Sequence, residues 1–396
     1  MSLIHAIQAP LAIIGIAGLV LAAGYEVVAL IAVLVWSLLP ARQPSRQLPP
    51  VTILKPLCGA EPGLYGNLRS FCVQKYPDFQ IVFGVTDPAD PALAVVKRLL
   101  AEFPHLQIDV VLDPQQHGTN RKVSSLINMA KRARYDVLVM ADSDASVGAN
   151  YLAAVTAPLL NPKIGLVTCI YRGIPTQPVW SRLGAMYINE WYMPSVLLAW
   201  MFGHEGFASG QTLAMRTDTL RAIGGLEAIA NHLADDNRLG ELVRQAGQRI
   251  VLSSYLPEAE HHEPNLDVLI RHELRWMRTI KVLRPLSFCF FFITFSLPLA
   301  LLSFGLTAGQ PAFSAAAWIL FLITAIARLA VHFVHRLRGG RPLLVDLWLL
   351  PVRDVLLCWV WCQSFFTSRI TWRGVEFDVA ADGIMRSSLP GHLPGQ

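Results

Sequence analysis

The chain has 396 residues, of which 53% are hydrophobic and 15% charged, with a formal net charge of +5. Ordinary soluble domains carry about 25% charged residues, and the mean hydropathy here is +0.43, so a wholly water-exposed globular protein is excluded. The length allows two or three structural units, and neither a nucleic-acid partner nor an obligate protein partner is expected.

Residues 11–39 are apolar except for Tyr25, Glu26, Trp36 and Ser37. The run exceeds the roughly 20 residues needed to cross a bilayer core, which predicts a transmembrane helix over 5–39. It is too long for a cleaved signal peptide and has no basic segment before it. A carboxylate at the depth of Glu26 must face protein or water. A second packed helix, a polar groove and a local defect all remain open for it.

Residues 50–280 alternate strand and helix signals. Strands are predicted at 51–54, 80–85, 108–112 and 135–141, and helices at 61–75, 91–103 and 122–133, with Leu93, Val96, Leu99 and Leu100 on one helical face. Repeats of this length imply an α/β domain with a mostly parallel sheet covered on both faces. Ligands of such sheets bind beyond the carboxyl ends of the strands, where Asp87, Asp113 and the pair Asp142/Asp144 fall. No glycine-rich dinucleotide fingerprint or phosphate loop is present, which argues against an NAD enzyme or an ATPase.

Two carboxylates two residues apart, where a buried strand stops, can hold a divalent cation over a diphosphate. The bland alternative is a solvated turn with a helix cap, since Ser143, Asp144 and Ser146 all suit one. Gly118-Thr119-Asn120-Arg121-Lys122 offers a flexible turn, a helix N-terminus and two cations, which suits a diphosphate or its sugar. A capped helix with a charged first turn is the alternative, although its cations oppose the helix dipole. Ala234-Asp235-Asp236 opens a helix over 236–246. One carboxylate can cap it, and the other can face the cleft as a general base.

The segment Tyr187–Phe202 is aromatic and apolar, contains Glu190 and is broken by Pro194. It reads as an in-plane helix over 187–203 that admits lipid, or as a buried core helix. The glycine-rich loop Gly203–Gln211 is placed to line an acceptor entrance. His261-His262-Glu263 lacks the spacing of a zinc helix. In His272-Glu273-Leu274-Arg275-Trp276, Arg275 can meet phosphate oxygens, and Trp276 can stack or anchor at an interface. A basic, aromatic belt beside the membrane is the alternative. Glu190, Gln211 and His272 are the polar candidates for the sugar or acceptor head.

Runs 287–307 and 312–335 predict a transmembrane hairpin over 287–335, with Gly309 and Pro311 as breakers. Run 343–367 is interrupted by Asp346, Arg353 and Asp354 and is either a span or an interfacial and re-entrant segment. A tail, 368–396, follows. Arg42 and Arg46, then Arg278, Lys281 and Arg284, then Arg336, Arg338 and Arg341 fall on one side if the N-terminal run and the hairpin cross. The positive-inside rule makes that side cytoplasmic. Arg369 and Arg373 join it only if 343–367 does not cross. The six cysteines form no metal spacing.

Leu54-Lys55-Pro56-Leu57-Cys58-Gly59, the run Asp87-Pro88-Ala89-Asp90-Pro91, and Asn128 after Lys122 carry a family likeness, which extends to Trp372-Arg373-Gly374. The chain resembles membrane-bound inverting glycosyltransferases of family 21, the ceramide glucosyltransferase type. Within it the chain is similar to the bacterial enzymes of hopanoid biosynthesis. The resemblance implies a GT-A nucleotide-sugar-binding domain flanked by transmembrane helices in the bacterial inner membrane. It implies Asp87 at the uridine, Asp144 as the metal position with Asp142 and Lys122 at the diphosphate, and Asp236 as the base. Arg275 and Trp276 match the last two positions of a Q/R-x-x-R-W motif and are implied in donor binding, while His272 departs from its first. The implied reaction moves N-acetylglucosamine from its UDP donor to bacteriohopanetetrol with Mg²⁺ or Mn²⁺. UDP-glucose with ceramide is the alternative. A processive polysaccharide synthase and a non-catalytic membrane scaffold with a nucleotide-sugar fold are the others.

Overall fold

The computed structural model describes residues 3–39, 48–177, 179–204, 206, 208–334, 344–367, 369–372 and 375–387. Arg42, Arg46, Arg336, Arg338, Arg341, Arg373 and Gly374, used above for topology and resemblance, lie outside the described residues. The chain forms two compact units. One gathers Met1–Leu39, Pro175–Phe202 and His262–Ser368, and the other Pro40–Ile174, Gly203–His261 and Arg369–Gln396. Residues 175–202 and 262–280, which the sequence pattern includes in the 50–280 domain, thus group with the apolar helices.

Thirteen short strands occur among the described residues, in chain order: β1 Val51–Pro56, β2 Phe79–Val85, β3 Gln107–Leu112, β4 Val137–Met140, β5 Ala145–Ser146, β6 Ile164–Thr168, β7 Arg172–Pro175, β8 Leu213–Arg216, β9 Arg249–Leu252, β10 Glu258–His261, β11 Arg369–Trp372, β12 Val375–Val379 and β13 Met385–Ser387. Seven of them form the central sheet in the order β3-β2-β1-β4-β8-β6-β9. The pairs β2–β3, β1–β2, β1–β4 and β6–β9 are parallel. Only β8 runs against its neighbours β4 and β6. The sheet is therefore mostly parallel, as the strand–helix alternation predicts.

Side chains divide by the period of two that a pleated strand imposes. Val51, Ile53, Ile81, Phe83, Val85, Val137 and Val139 enter one core with Leu68 and Phe71. Leu54, Val82, Leu138 and Met140 enter the other with Val123, Leu126 and Leu239. Near-continuous apolar runs are what burial on both faces requires. The helix Ala92–Glu102 turns Ala92, Val96 and Leu99 inward, whereas Leu100, expected on that face, is 37% exposed.

Strands β6, β8 and β9 are four or five residues each and were not foreseen. The antiparallel β8 matters most. Its register sets Leu213 opposite Met140, so the turn before β8 lies beside the residues that follow β4. Strand β10 pairs with β5 on the far side of the same segment.

The sheet β11-β12-β13 packs Ile370, Phe377 and Met385 on Leu233. The amide of Leu233 donates to the Gly383 carbonyl at 3.0 Å, and the amide of Met385 donates to the Asn231 carbonyl at 2.8 Å. The loop leading to Asp235 is thus held from behind by the residues after 368.

In the other unit, the helix Leu3–Leu38 and the helix Pro311–Val334 are the two helices, among the described residues, that are long and apolar enough to cross a membrane. The first limb of the expected hairpin is not one straight span. It consists of Pro285–Thr294 and Ser296–Thr307, bent by 67°. Pro298 explains the break, because proline lacks the amide of a helix interior and fits the first turn of the second piece. Residues 344–363 form a one-turn 3₁₀ segment, Leu344–Trp348, and the helix Leu349–Gln363.

Polar groups in this unit are paired with one another. Arg353 and Glu273, both wholly buried, form a two-point pair at 2.5 and 2.6 Å. Arg328 meets Asp354 at 2.5 Å, and Glu26 accepts from Ser296 Oγ at 2.5 Å. The neighbour that Glu26 requires is therefore a second packed helix. The helical stretch Trp180–Met201 loosens to a π-turn at Ile188–Tyr192. Pro194 has no amide to offer the carbonyl four residues earlier, which is that of Glu190. The Arg328 guanidinium supplies the missing donor at 2.7 Å.

Candidate active site

Strand β4 ends at Met140, and the chain turns at once. The amide of Ala145 donates to the carbonyl of Asp142 at 3.2 Å. Lys55, fully buried at the end of β1, donates to the same carbonyl at 2.5 Å. Its ammonium also lies 3.8 Å from the centre of the Phe71 ring. Burial pushes the Lys55 ammonium down to about 7, opposed by the charges of Asp144 and Asp142. This lysine pins the turn that presents the carboxylates.

Lys122 stands at the first turn of the helix Arg121–Ala130, which Asn120 caps by accepting from the Val123 amide at 3.1 Å. Its ammonium is 2.7 Å from Asp142 Oδ1 and 3.5 Å from Asp235 Oδ2. Burial opposes that charge, but Asp142, Asp235 and Asp236 overcome it and hold the ammonium above its ordinary value. Asn120 Nδ2 donates to the His232 carbonyl at 2.9 Å, and its amide donates to the Ala230 carbonyl at 2.9 Å. The two loops that carry Lys122 and Asp235 are in this way tied to each other.

Asp235 and Asp236 open the helix Asp235–Gln245. Asp236 Oδ2 accepts from the Gly210 amide at 2.8 Å, and Oδ1 accepts from the Asn237 amide at 2.7 Å. Burial, followed by the charge of Asp235, pushes the Asp236 carboxyl up to about 6, while Lys122 opposes the rise. A carboxylate raised in this way is better matched to a proton transfer near neutral pH.

Gly210 is where these groups meet. A Cβ on it would lie 2.9 Å from Lys122 Nζ, 3.2 Å from Asp142 Oδ2 and 3.6 Å from Asp236 Oδ2. A side chain here would press on the Lys122 ammonium and crowd Asp142, so that both would have to shift. The neighbouring Gln211 turns the other way, and its Nε2 donates to Asp144 at 3.1 and 3.3 Å. Burial and then the charge of Asp142 push the Asp144 carboxyl up to about 6; Gln211, His261 and Lys55 act against this.

The structure thus brings Lys122, Asp142, Asp236, Asp144 and Gln211 into one cluster. Asp87 is exposed at the carboxyl end of β2, on the same edge of the sheet, and its Oδ1 accepts from the Ala89 amide at 2.8 Å. Asn128 ties down the loop before the helix Arg121–Ala130: its Oδ1 accepts from His117 Nε2 at 2.8 Å, and its Nδ2 donates to the Gln115 carbonyl at 2.9 Å. Lys55 and Gly210 are site residues that sequence reasoning did not single out. A lysine closing an apolar strand was the available signal for the first. For the second the glycine-rich loop Gly203–Gln211 was the signal, but which of its glycines approaches the site depends on neighbours distant in sequence.

The remaining expected residues belong to the other unit. His272 Nδ1 is 3.2 Å from Glu263 Oε1, and its ring stacks on Trp276 with centroids 4.1 Å apart. Trp276 also meets Tyr187 at 5.0 Å. Arg275 lies on the same helix, Leu266–Leu283. Glu190 has a structural task that the sequence did not reveal: besides its carbonyl bond to Arg328, its Oε1 lies 2.7 Å from His332 Nδ1.

No group of three His, Cys, Asp or Glu side chains suited to a metal occurs among the described residues. Asp144 nonetheless fits a hard cation: burial and then the charge of the neighbouring Asp142 raise its carboxyl, and a cation between the two carboxylates would offset both. Magnesium-type sites commonly take one or two carboxylates and complete their shell with phosphate oxygens and water. Asp142 is less free to serve, because Lys122 holds one of its oxygens.

A parallel sheet edge lined with carboxylates and a lysine suits a nucleotide sugar, and a solved structure shares the fold. The mannosyltransferase PcManGT from Pyrobaculum calidifontis, in complex with GDP-Man and Mn2+, superposes with a TM-score of 0.53 at 17% identity, covering 90% of this chain and 99% of that one. The protein is a GT-A-fold, nucleotide-sugar-dependent hexosyltransferase. More narrowly, the chain belongs to glycosyl transferase family 21, whose sequence profile matches residues 15–385. Ceramide glucosyltransferase 1 of Caenorhabditis elegans is 23% identical over 360 residues, 87% of this chain and 75% of that protein. Ceramide glucosyltransferase of Candida albicans is 32% identical over 114 residues, 26% of this chain and 21% of that protein. With its two membrane-length helices, the chain is a membrane protein.

Proposed function

We propose that the protein transfers one sugar from a UDP-sugar to the hydroxyl of a membrane lipid, with inversion at the anomeric carbon. The observation that supports it is the approach of Lys122, Asp142 and Asp236 to a single glycine, Gly210. Asp236 removes the proton of the lipid hydroxyl as its oxygen attacks from the face opposite the diphosphate. Two backbone amides orient Asp236 for that task. Lys122 balances Asp142 and Asp235, so that the donor's negative charge meets a site already neutralised in part. Asp144 holds Mg²⁺ or Mn²⁺, which when bound neutralises charge on the leaving diphosphate. Asp87 is assigned to the uridine, and Arg275 and Trp276 to donor binding, by family resemblance. The α/β unit faces the cytoplasm of a bacterium from its inner membrane.

The donor is UDP-N-acetylglucosamine and the acceptor a hopanoid polyol, bacteriohopanetetrol, on the resemblance of the sequence. A second reading, UDP-glucose with ceramide, is favoured by the ceramide glucosyltransferases among the relatives. A competition assay separates them: each lipid is offered with each donor, and products are weighed by mass spectrometry. A hopanoid carrying one aminosugar is the expected product. Ceramide plus a hexose, with no aminosugar on the hopanoid, would replace the first reading by the second, and a ladder of masses would indicate a processive synthase.

A further inference from the structure

Gln211 is only 8% exposed, and its two amide atoms are treated unequally. The nitrogen spans both oxygens of Asp144, while Oε1 is buried without a hydrogen-bond partner among the described residues. An unpaired buried carbonyl is costly and calls for an explanation.

The turn that carries Gln211 is held at several points. The Ser209 amide donates to Thr168 Oγ1 at 2.9 Å, and the Thr212 amide donates to the Ser209 carbonyl at 3.1 Å. The Thr212 hydroxyl lies 3.1 Å from that of Tyr151, and Gly210 is fixed on Asp236. With the backbone fixed, the free motion is rotation of the terminal amide, a torsion with two broad minima half a turn apart. That half turn exchanges nitrogen and oxygen. It points the carbonyl oxygen at Asp144, which is repulsive against a bare carboxylate but suits a carboxylate that bears a hard cation, since such cations accept amide carbonyls as ligands.

We infer that Gln211 is a second protein ligand of the divalent cation at Asp144, its amide turning over as the cation arrives. The inference rests on the reading of Asp144 as the cation's carboxylate. It assigns Gln211 to the metal in place of the acceptor contact that the sequence suggests. A neutral ligand also fits the charge of the site. Asp142 and Asp144 already supply two negative charges, and a third would repel the incoming diphosphate.

The test is Mn²⁺ binding to the purified full chain in detergent, read from the electron spin resonance signal of free Mn²⁺, without donor and again with UDP. Gln211→Leu, which keeps bulk but removes the oxygen, is expected to weaken binding about 10- to 100-fold, the usual scale for losing support at a metal site. Gln211→Glu, purified with Mn²⁺ present, is expected to bind more tightly than the parent. If Gln211 only steadied Asp144 by donating a hydrogen bond, glutamate would weaken binding as leucine does, and that outcome overturns the inference even if leucine does not fold. Asp144→Ala separates the underlying reading: Mn²⁺ binding that survives it removes the cation from Asp144, whatever Gln211 does.

Discussion

The two units treat buried charge in opposite ways. In the apolar unit, charges are used up on each other. Arg353 closes both donors on Glu273, and Arg328 is divided between Asp354 and the carbonyl that Pro194 leaves open. In the α/β unit, four aspartates and a lysine crowd round one turn, and two of the carboxyls are pushed up to about 6. The first arrangement fixes helices in place. The second leaves an imbalance that a cation, a diphosphate and a departing proton can relieve. A buried carboxylate is therefore not a site in itself; what decides is whether its partners already satisfy it.

The largest effect expected from breaking this contrast is at Asp236. Asp236→Asn should lower turnover by about 10²–10⁴-fold, the range for a positioned general base. Melting temperature and UDP affinity should stay near the parent values, and near-normal turnover in a sugar-transfer assay would move the base role to Asp235. In the other unit, Arg353→Met should destabilise by about 3–5 kcal/mol, because one charge of a buried pair is left behind. Thermal melting should show that loss, and adding Glu273→Leu should restore most of it. If turnover per folded molecule fell without a change in melting, the pair would belong to the chemistry after all.

Asp144→Ala should cost more activity than Asp142→Ala, by about tenfold, one missing charge-assisted contact being worth roughly 1.5–3 kcal/mol. Chelation should silence the parent enzyme, and Mg²⁺ or Mn²⁺ should revive it; full turnover of stripped protein would contradict the role. Acid should act through Asp236 and Asp144, whose carboxyls are both pushed up to about 6. A base and a cation ligand both work deprotonated, so kcat/KM should be level above that pH and fall below it. The smallest effect is expected at Glu190. Glu190→Gln should lower stability by about 1–2 kcal/mol, an ordinary cost for disturbing a buried polar contact, with the acceptor KM unchanged. A raised KM with normal melting would return Glu190 to the acceptor site.

Much of the sheet was legible because period-two apolar strands such as Val137–Met140 cannot be hidden. Asp87 and the pair Asp142/Asp144 were legible because they follow those strands, and Asp235/Asp236 because they open a helix. Strand β8 was not, since Leu-Ala-Met-Arg is too short to show a period, and with it went the turn that makes Gly210 and Gln211 meaningful. Glu190 looked like a ligand because its sequence neighbours are aromatic and apolar, while Arg328 and His332, which engage it, lie 138 and 142 residues away. Local pattern reveals what a residue cannot be left without, but not who supplies it.

The C-terminal sheet has a consequence in time. Residues 231–236, with the proposed base, leave the ribosome before the apolar helices that follow residue 284, whereas the strands that brace Leu233 and Asn231 come only with residues 369–387. A growing chain therefore carries Asp142, Asp144, Asp235 and Asp236 for the synthesis of more than a hundred residues without the brace behind them. Turnover is therefore expected to wait for the brace, and a chain cut before residue 369 should show it as a loss of transfer in the sugar-transfer assay.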